Sequence, residues 1–267
     1  NDEPYKVYGP FYRKWISIIN ETATSDNNLI EISKTAEKII GFDDRELSSI
    51  KNSNLHYCLT RKSESIYDLL SSNRFKNNNL CPCTPGESES LKQLNFFIHS
   101  GVINSYNQAR DIPSLESTSN LSAALSLGTI SCRAVWNGAQ ISKNMATNEY
   151  QINSIDTWRK ELAWREFYQN ALINFPELEK GPYREKWLYF PWQNKSEWFE
   201  AWGNGLTGIP IIDAAMRQLK YSGWMHNRCR MIVASFLVKD LLIDWKWGEN
   251  FFMKNLVDGD LASNNGG

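Results

Sequence analysis

The sequence of 267 residues predicts an all-α fold, which we assign to one compact helical domain covering residues 1–267. Apolar residues recur at three- and four-residue spacings through most of the chain after Ser119, as amphipathic helices require. Capping residues, prolines and glycines mark the ends of these segments. The alternation of apolar and polar residues that marks a half-buried strand is absent, as are the strand-turn-helix units of a parallel sheet.

Two Asn- and Ser-rich segments in the first third of the chain, residues 20–28 and 71–90, are predicted to be irregular. The second contains two prolines and a glycine, which break regular structure. A helix is predicted directly after Gly86 and Glu87, because the next apolar residues share one helical face. These residues are Leu91, Leu94, Phe97 and Ile98.

Two helices in the middle of the chain are predicted from their capping signals. Ser131 is placed to cap a helix that begins at Cys132. Ser154 is placed to cap another, which runs over residues 155–175 and is stopped by Pro176.

A third helix is predicted to begin with Pro210 in its first turn and to end at Ser222 and Gly223. The next ten residues, 222–231, combine two arginines with an indole, an amide and two thioethers, which is poor material for a core. They lead into the apolar segment 232–242, so we predict a buried helix whose first turn carries the polar cluster.

The charge is nearly balanced, with 29 basic and 30 acidic residues, so net charge gives no support to nucleic-acid binding. The distribution of charge does support nucleic-acid binding, because residues 214–239 contain no acidic residue but five basic ones. We expect positive potential there, while a solvated helix face is the alternative. The bases are Arg217, Lys220, Arg228, Arg230 and Lys239.

The five cysteines are irregularly spaced, and we interpret them as reduced thiols of a monomeric cytoplasmic protein. Cys81 and Cys83 have no partner pair or nearby histidine of the kind a zinc site uses, so no metal is predicted. No signal peptide and no apolar run of membrane-spanning length is found. The 11 tryptophans fit either an aromatic core or surfaces that stack on flat ligands and pass electrons.

Several separated motifs together resemble the FAD-binding domain of DNA photolyases and cryptochromes, with class I cyclobutane pyrimidine dimer photolyases the most similar. They occur in the family's order and span nearly the whole chain, at residues 4–11, 118–122, 158–168, 223–228, 234–245 and 258–267. The resemblance implies a helical domain that binds reduced FAD. It also implies that an amino-terminal antenna domain, with its chromophore, and the extreme carboxyl terminus lie outside this chain.

On the predicted helix over residues 155–175, four side chains share one face. They are Glu161, Trp164, Arg165 and Tyr168. By themselves they fit a boundary stripe with an internal ion pair. The resemblance instead implies that Glu161 contacts the damaged pyrimidines and that Trp164 stacks on them.

The segment 118–122 fits the start of a helix, where hydroxyl groups accept hydrogen bonds from free amides. The resemblance implies that this segment binds the FAD phosphates through Thr118, Ser119, Asn120, Leu121 and Ser122. By the same resemblance Tyr106 is a phosphate contact. Arg110 is a structural charge or one on the ligand side.

In residues 223–231 a lone histidine, His226, is interpreted as structural. The resemblance places Asn227 between flavin and substrate, and Arg228 and Met231 on the substrate side. It also pairs Arg230 with Asp258 near the flavin ring.

Two acids in a short loop, Asp258 and Asp260 around Gly259, fit metal binding or acid-base chemistry, but neither is needed. The resemblance implies that this loop meets the polar edge of the flavin ring and that Asn264 faces its N5 atom. Asparagine at this position resembles photolyases, whereas plant cryptochromes typically carry aspartate and many animal ones cysteine.

Trp192 and Trp245 correspond, by resemblance, to the outer and middle members of an electron-transfer chain to the flavin. The inner member falls just beyond Gly267. The implied function is light-driven splitting of pyrimidine dimers that have been flipped out of DNA.

Three alternatives stay open. The first is a cryptochrome-type blue-light receptor, which Asn264 disfavours. The second is repair of the (6-4) lesion, for which a second histidine would be typical where Asn227 stands. The third is a cofactor-free helical module that binds nucleic acid, which leaves the loop at 258–260 without a role.

Overall fold

The computed structural model of the chain describes residues 3–25 and 83–266. Within these ranges all regular elements are helical and no strand occurs, so the predicted all-α class is confirmed. The chain divides into a unit of residues 1–16 and 80–267 and a second unit of residues 17–79. The second is described only over residues 17–25, so the account below concerns the first.

The α-helices within the described residues are numbered here in chain order. Their bounds are α1 Tyr8–Ser25, α2 Glu87–His99, α3 Tyr106–Ala109, α4 Ser122–Leu127, α5 Cys132–Met145, α6 Glu149–Asn174, α7 Ser196–Asn204, α8 Pro210–Ser222, α9 Asn227–Ser235, α10 Trp245–Asn255 and α11 Leu261–Gly266. Three 3₁₀ turns at Val102–Ser105, Pro176–Glu179 and Glu185–Trp187 and a π-turn at Phe236–Asp240 complete the described elements.

Several predicted helix ends are confirmed. Ser131 caps α5, because its hydroxyl accepts a hydrogen bond from the Ala134 amide at 3.1 Å. Pro210 opens α8, and Gly223 closes it in the left-handed conformation at φ 68°. The helix predicted after Gly86 begins at Glu87.

The predicted start of α6 at Ser154 is wrong. The helix was predicted to begin at residue 155 but begins six residues earlier, at Glu149, where Asn148 accepts a hydrogen bond from the Gln151 amide at 3.0 Å. Ser154 is buried inside the helix, and its hydroxyl accepts from the Asn107 amide at 2.9 Å. A side chain that resembles a cap therefore serves a tertiary contact to α3.

Two other boundaries also differ from prediction. Residues 20–25 are helical rather than irregular, because α1 continues to Ser25, and residues 26–28 lie outside the described ranges. The segment 71–82 lies outside them as well. The helix predicted over 232–242 is interrupted, since α9 ends at Ser235 and a π-turn follows, with Leu241 donating to the Phe236 carbonyl at 3.1 Å.

Two apolar clusters form the core of this unit. The first packs α2, α5 and α6 around Phe97, Ile155 and Trp158. The second packs α7 to α10 around Trp202, whose indole donates to the Val233 carbonyl at 3.0 Å. The residues predicted to bind cofactor and substrate come from the helices of both clusters.

Asp213 anchors the turn before α8 and provides a test of the fold. Its buried carboxylate accepts hydrogen bonds from the Thr207 amide at 2.8 Å, the Thr207 hydroxyl at 2.6 Å and the Gly208 amide at 3.0 Å. Burial opposes ionisation, but these hydrogen bonds outweigh it and hold the pKa of Asp213 below its usual value. The ionised carboxylate therefore stabilises the fold above the pKa of an unfolded aspartate.

We expect Asp213→Asn to lower the free energy of unfolding by about 1–2 kcal/mol at neutral pH, because part of this hydrogen bonding is lost. The wild-type advantage should disappear as the pH falls through the lowered pKa of the folded protein. Urea unfolding at several pH values measures both effects. Asp240→Asn, at an exposed position, is the matched control, and an equal loss in both variants would contradict the assignment.

Candidate functional site

The face of α6 that was predicted to meet the substrate carries a carboxylate whose partner comes from elsewhere in the chain. Glu161 forms a short ion pair with Arg110, which follows α3. Arg165 instead lies 3.2 Å from Glu166. The alternative prediction, an ion pair within α6 between Glu161 and Arg165, is therefore wrong. Tertiary packing places Arg110 against Glu161 instead.

The ion pair continues through Asp111 to α9. Asp111 Oδ1 lies 2.6 Å from the Arg228 guanidinium and 3.6 Å from Arg110 Nε. Four alternating charges thus join Glu161, Arg110, Asp111 and Arg228 into one network. Sequence reasoning missed Asp111, although its position next to Arg110 was a usable signal.

The electrostatics of the network differ between its two carboxylates. Burial raises the pKa of Glu161, and the neighbouring Arg110 opposes this rise. The hydrogen bond from Arg228 lowers the pKa of the more exposed Asp111. Tyr106 lies beside Arg110, and burial raises the pKa of its phenol, which therefore stays protonated at neutral pH.

The indole of Trp164 lies within an aromatic stack beside this network. The Tyr8 ring is 3.6 Å from it with an interplanar angle of 5°, and the Tyr168 ring is 5.6 Å away at 29°. The Tyr8 hydroxyl donates to the Lys160 carbonyl at 3.3 Å. Tyr8 was not predicted to have a role, although it lies in the motif at residues 4–11.

At the start of α9 a buried histidine with a structural role is followed by residues whose side chains are exposed. His226 is buried and caps the helix, since its Nδ1 accepts from the Arg228 amide at 3.1 Å, as its structural interpretation requires. Burial lowers its pKa and favours the neutral ring. Asn227 and Met231 are exposed, and the Arg228 guanidinium lies 3.5 Å from the Met231 sulfur.

Arg230 and Asp258 form the most buried ion pair among the described residues. One guanidinium nitrogen lies 2.8 and 3.0 Å from the two carboxylate oxygens, and the Asp258 side chain is only 1% exposed. Arg230 also donates from Nε to the Met225 carbonyl at 2.8 Å. The pairing inferred from the sequence is therefore present.

The loop at residues 258–260 is bound to α4 and α11, and α11 is bound in turn to α10. The Gly259 carbonyl accepts from the Ser126 hydroxyl of α4 at 3.2 Å. Asp260 accepts from the Ser263 amide at 2.8 Å and so caps α11. Asn264 donates to the Glu249 carbonyl of α10 at 3.2 Å. The contact with Ser126 joins the predicted flavin-ring loop to α4, the helix that follows the predicted phosphate-binding segment.

The segment 118–122 does not cap α4 with its side chains, so that part of the prediction is wrong. Asn120 adopts a left-handed conformation at φ 52°, and its side-chain oxygen Oδ1 accepts from the Thr118 hydroxyl at 3.1 Å. This turn points the chain into α4 without a capping hydroxyl. The Leu121 side chain is buried in the first cluster, so only its backbone is available to a ligand, while Ser119 is half-buried and Ser122 exposed.

Trp192 and Trp245 lie in neighbouring segments and are both half-buried. The Gln193 amide donates to the Leu242 carbonyl at 2.7 Å, and the Asp244 amide donates to the Asn194 side chain at 2.8 Å. Two hydrogen bonds therefore join the segment that follows Trp192 to the segment that precedes Trp245.

The predicted basic region is more neutral than its composition indicated. Arg228 and Arg230 are paired with Asp111 and Asp258. Arg217 lies 3.9 Å from Asp213 and donates to the Gly205 carbonyl. Of the five bases, only the lysines at 220 and 239 have no ion pair with a described acid.

Within the described ranges, Cys132 and Cys229 are free thiols. No group of potential metal ligands was found in residues 3–25 and 83–266. In the same residues, no helix combines the length and apolar character needed to cross a bilayer.

Comparison with known proteins relates this site to one family. Residues 158–267 match the family described as the FAD binding domain of DNA photolyase. A deoxyribodipyrimidine photo-lyase of Synechococcus is 43% identical over 264 residues, which cover 99% of this chain and 51% of the relative. Its counterpart in Neurospora crassa is 39% identical over 265 residues, which cover 98% and 41%.

Solved structures show the same relationship. A bacterial class III photolyase from Agrobacterium tumefaciens has a TM-score of 0.64 at 46% identity, covering 68% of this chain and 37% of its own. A cryptochrome from Synechocystis has a TM-score of 0.64 at 32% identity, covering 70% and 38%. The chain spans about half the length of the Synechococcus relative and less of the others.

We expect Asp258→Asn to lower the free energy of unfolding by about 3 kcal/mol, because it leaves Arg230 partly buried without a counter-charge. Arg230→Lys should also destabilise, since lysine does not reproduce the planar guanidinium. Urea unfolding measures both losses. Lys239→Gln, which removes an exposed charge, should change stability little, and a similar loss there would contradict a special role for the pair.

Proposed function

The chain belongs to the DNA photolyase and cryptochrome family, and from this premise we propose that it is the FAD-binding part of a light-dependent enzyme that splits cyclobutane pyrimidine dimers in DNA. We further propose that residues 1–267 form one helical domain of a longer protein. The observation that carries the proposal is the network joining Glu161 to Arg228 beside Trp164. The network brings together a hydrogen-bond acceptor, Glu161, and a cation, Arg228, from distant parts of the chain, next to the indole of Trp164 as a stacking surface.

The residues at the proposed cofactor site fit FAD. Hydroxyl and amide groups at residues 118–122 provide the neutral donors that a diphosphate needs. The Ser126 to Gly259 hydrogen bond joins α4, which follows this segment, to the loop at 258–260, whose backbone and carboxylates suit the polar edge of a flavin. Asn265 Oδ1 is buried and has no hydrogen-bond partner among the described residues, so it is available to accept a hydrogen bond from a polar ligand.

When bound and reduced, FAD supplies light absorption and a transferable electron. The protein side chains then bind and orient the DNA. Trp164 offers an indole on which an unstacked pyrimidine can pack, and such stacking is worth about 1–3 kcal/mol per base. Glu161 accepts a hydrogen bond from the pyrimidine edge, and Asn227, next to Arg228 at the start of α9, is exposed.

Selectivity comes partly from the lesion itself. Flipping a base out of the duplex costs a few kcal/mol and less where the base is already damaged. Arg228 can contribute a phosphate contact, which is independent of sequence and weakened by salt. No side chain of the network has to act as a nucleophile.

A blue-light receptor is the rival function, since a cryptochrome is among the structural relatives. Asn264 supports repair, because a neutral amide disturbs a reduced, anionic flavin less than a carboxylate would. A cofactor-free module is disfavoured by the match to an FAD-binding domain. We place the protein in the cytoplasm as a monomer, where free thiols such as Cys229 remain reduced.

The decisive experiment measures flavin absorption after reconstitution with FAD, followed by photoreduction and illumination with a thymine-dimer oligonucleotide. We expect bound flavin and light-dependent loss of dimers, measured by chromatography. Restoring the missing segments of the longer protein separates an incomplete site from a wrong function. Bound flavin with no repair in the longer protein would favour the receptor.

We expect Trp164→Ala to weaken binding of dimer-containing DNA by about five- to a hundredfold, because one stacking contact is lost. Fluorescence anisotropy with labelled duplexes measures this change. Trp187→Ala, at an exposed indole outside the network, is the control. Equal effects of the two substitutions would remove the support for a stacking role.

In the longer protein, where the resemblance places the inner member of the electron-transfer chain, we expect Trp192→Phe and Trp245→Phe to slow photoreduction of the bound flavin, since phenylalanine is much harder to oxidise than tryptophan. Repair by protein that is already chemically reduced should be unchanged. Trp198→Phe, at a surface position beside Lys195, is the matched control. Unaltered photoreduction in both test variants would exclude the proposed route.

A further inference from the structure

We propose that Asp111 holds Arg228 as an internal substitute for a DNA phosphate and so weakens the sequence-independent affinity of the site for DNA. This inference rests on the proposed function. It assigns a role to a residue that the sequence analysis did not select. It also explains why an arginine on the substrate side carries a carboxylate partner.

The geometry gives Asp111 the position of a competitor. Its Oδ1 atom lies 2.6 Å from the Arg228 guanidinium, a charge-assisted hydrogen bond of the kind that a phosphate oxygen would make. The pair joins the loop after α3 to the first turn of α9. Arg228 therefore offers its full charge to DNA only when Asp111 has been displaced.

Exposure makes this displacement feasible. The Arg228 side chain is 34% exposed and the Asp111 side chain 52%, so both groups are open to an incoming polyanion. Exposed ion pairs are typically worth about 0–1 kcal/mol, and a phosphate can replace the carboxylate at small cost. By contrast, Asp258 is almost completely buried against Arg230, so a phosphate cannot readily displace it and Arg230 is not available to DNA.

The rest of the network keeps Asp111 near the site after the exchange. Arg110 Nε lies 3.6 Å from Asp111, while the other side of Arg110 is committed to Glu161. The released carboxylate thus stays close to the bound backbone and repels it. Both the broken pair and this repulsion reduce affinity for any DNA strand.

The test compares DNA binding by the wild-type chain, Asp111→Asn, Arg228→Gln and the double variant. Labelled duplexes with and without a thymine dimer are titrated at several salt concentrations by fluorescence anisotropy. Asp111→Asn preserves the shape of an exposed side chain. Glu116→Gln makes the same charge change in the same loop, at an exposed residue without a described hydrogen bond or ion pair, and is the matched control.

We expect Asp111→Asn to tighten binding of both duplexes by about two- to fivefold, as release of an exposed pair permits. The dependence of log affinity on log salt should steepen by about 0.9, which corresponds to one added phosphate contact. Glu116→Gln should have a smaller effect. The gain should vanish in the double variant, because Arg228 is then absent.

Three results would overturn the proposal. They are weaker binding by Asp111→Asn, which would make Asp111 a positioning residue; an equal gain in Glu116→Gln, which would reflect net charge; and a gain that persists without Arg228. Failure of the proposed function is recognised separately, because the wild-type chain would then show no preference for the dimer-containing duplex.

Discussion

The buried ion pair between Arg230 and Asp258 is the constraint on which the site depends. Removing an aspartate from water is costly unless a counter-charge and hydrogen bonds replace the lost hydration. Arg230 provides both through one guanidinium nitrogen that contacts the two carboxylate oxygens, and it is itself fixed by the Met225 carbonyl. The start of α9 and the loop after α10 are therefore fixed relative to each other.

The consequences extend along the chain in both directions. After Asp258, the Gly259 carbonyl meets α4 and Asp260 caps α11. Gly266 at the end of α11 lies against the Tyr168 ring, where a larger side chain would overlap it. The two apolar clusters are thus joined through polar contacts, and the proposed cofactor and substrate residues lie along this junction.

The second network has a different physical character. The pair of Arg110 with the half-buried Glu161 orients α3 on α6, whereas Asp111 is open to solvent and holds the half-buried Arg228. A site that must release its own ion pair to bind a polyanion needs such an exposed member. Asp258 therefore holds its arginine in a fixed position, whereas Asp111 is the carboxylate that we propose is exchanged for a phosphate.

The sequence by itself determined the helical class, the family and those helix ends that depend on neighbouring residues. Ser131 and Gly223 act within one turn of the chain, so their roles are encoded locally. Motif resemblance also identified the Arg230 and Asp258 pair. It gave no such indication for Asp111 or Tyr8.

Only the tertiary structure decided contacts between residues far apart in the chain. Ser154 has the chemistry of a cap, yet the fold places it opposite the Asn107 amide while Asn148 caps the helix. Glu161 has Arg165 one turn away but pairs with Arg110. Tyr8 stacks on Trp164 across more than 150 positions. Local patterns report which groups a segment carries, whereas packing determines which of their possible partners they meet.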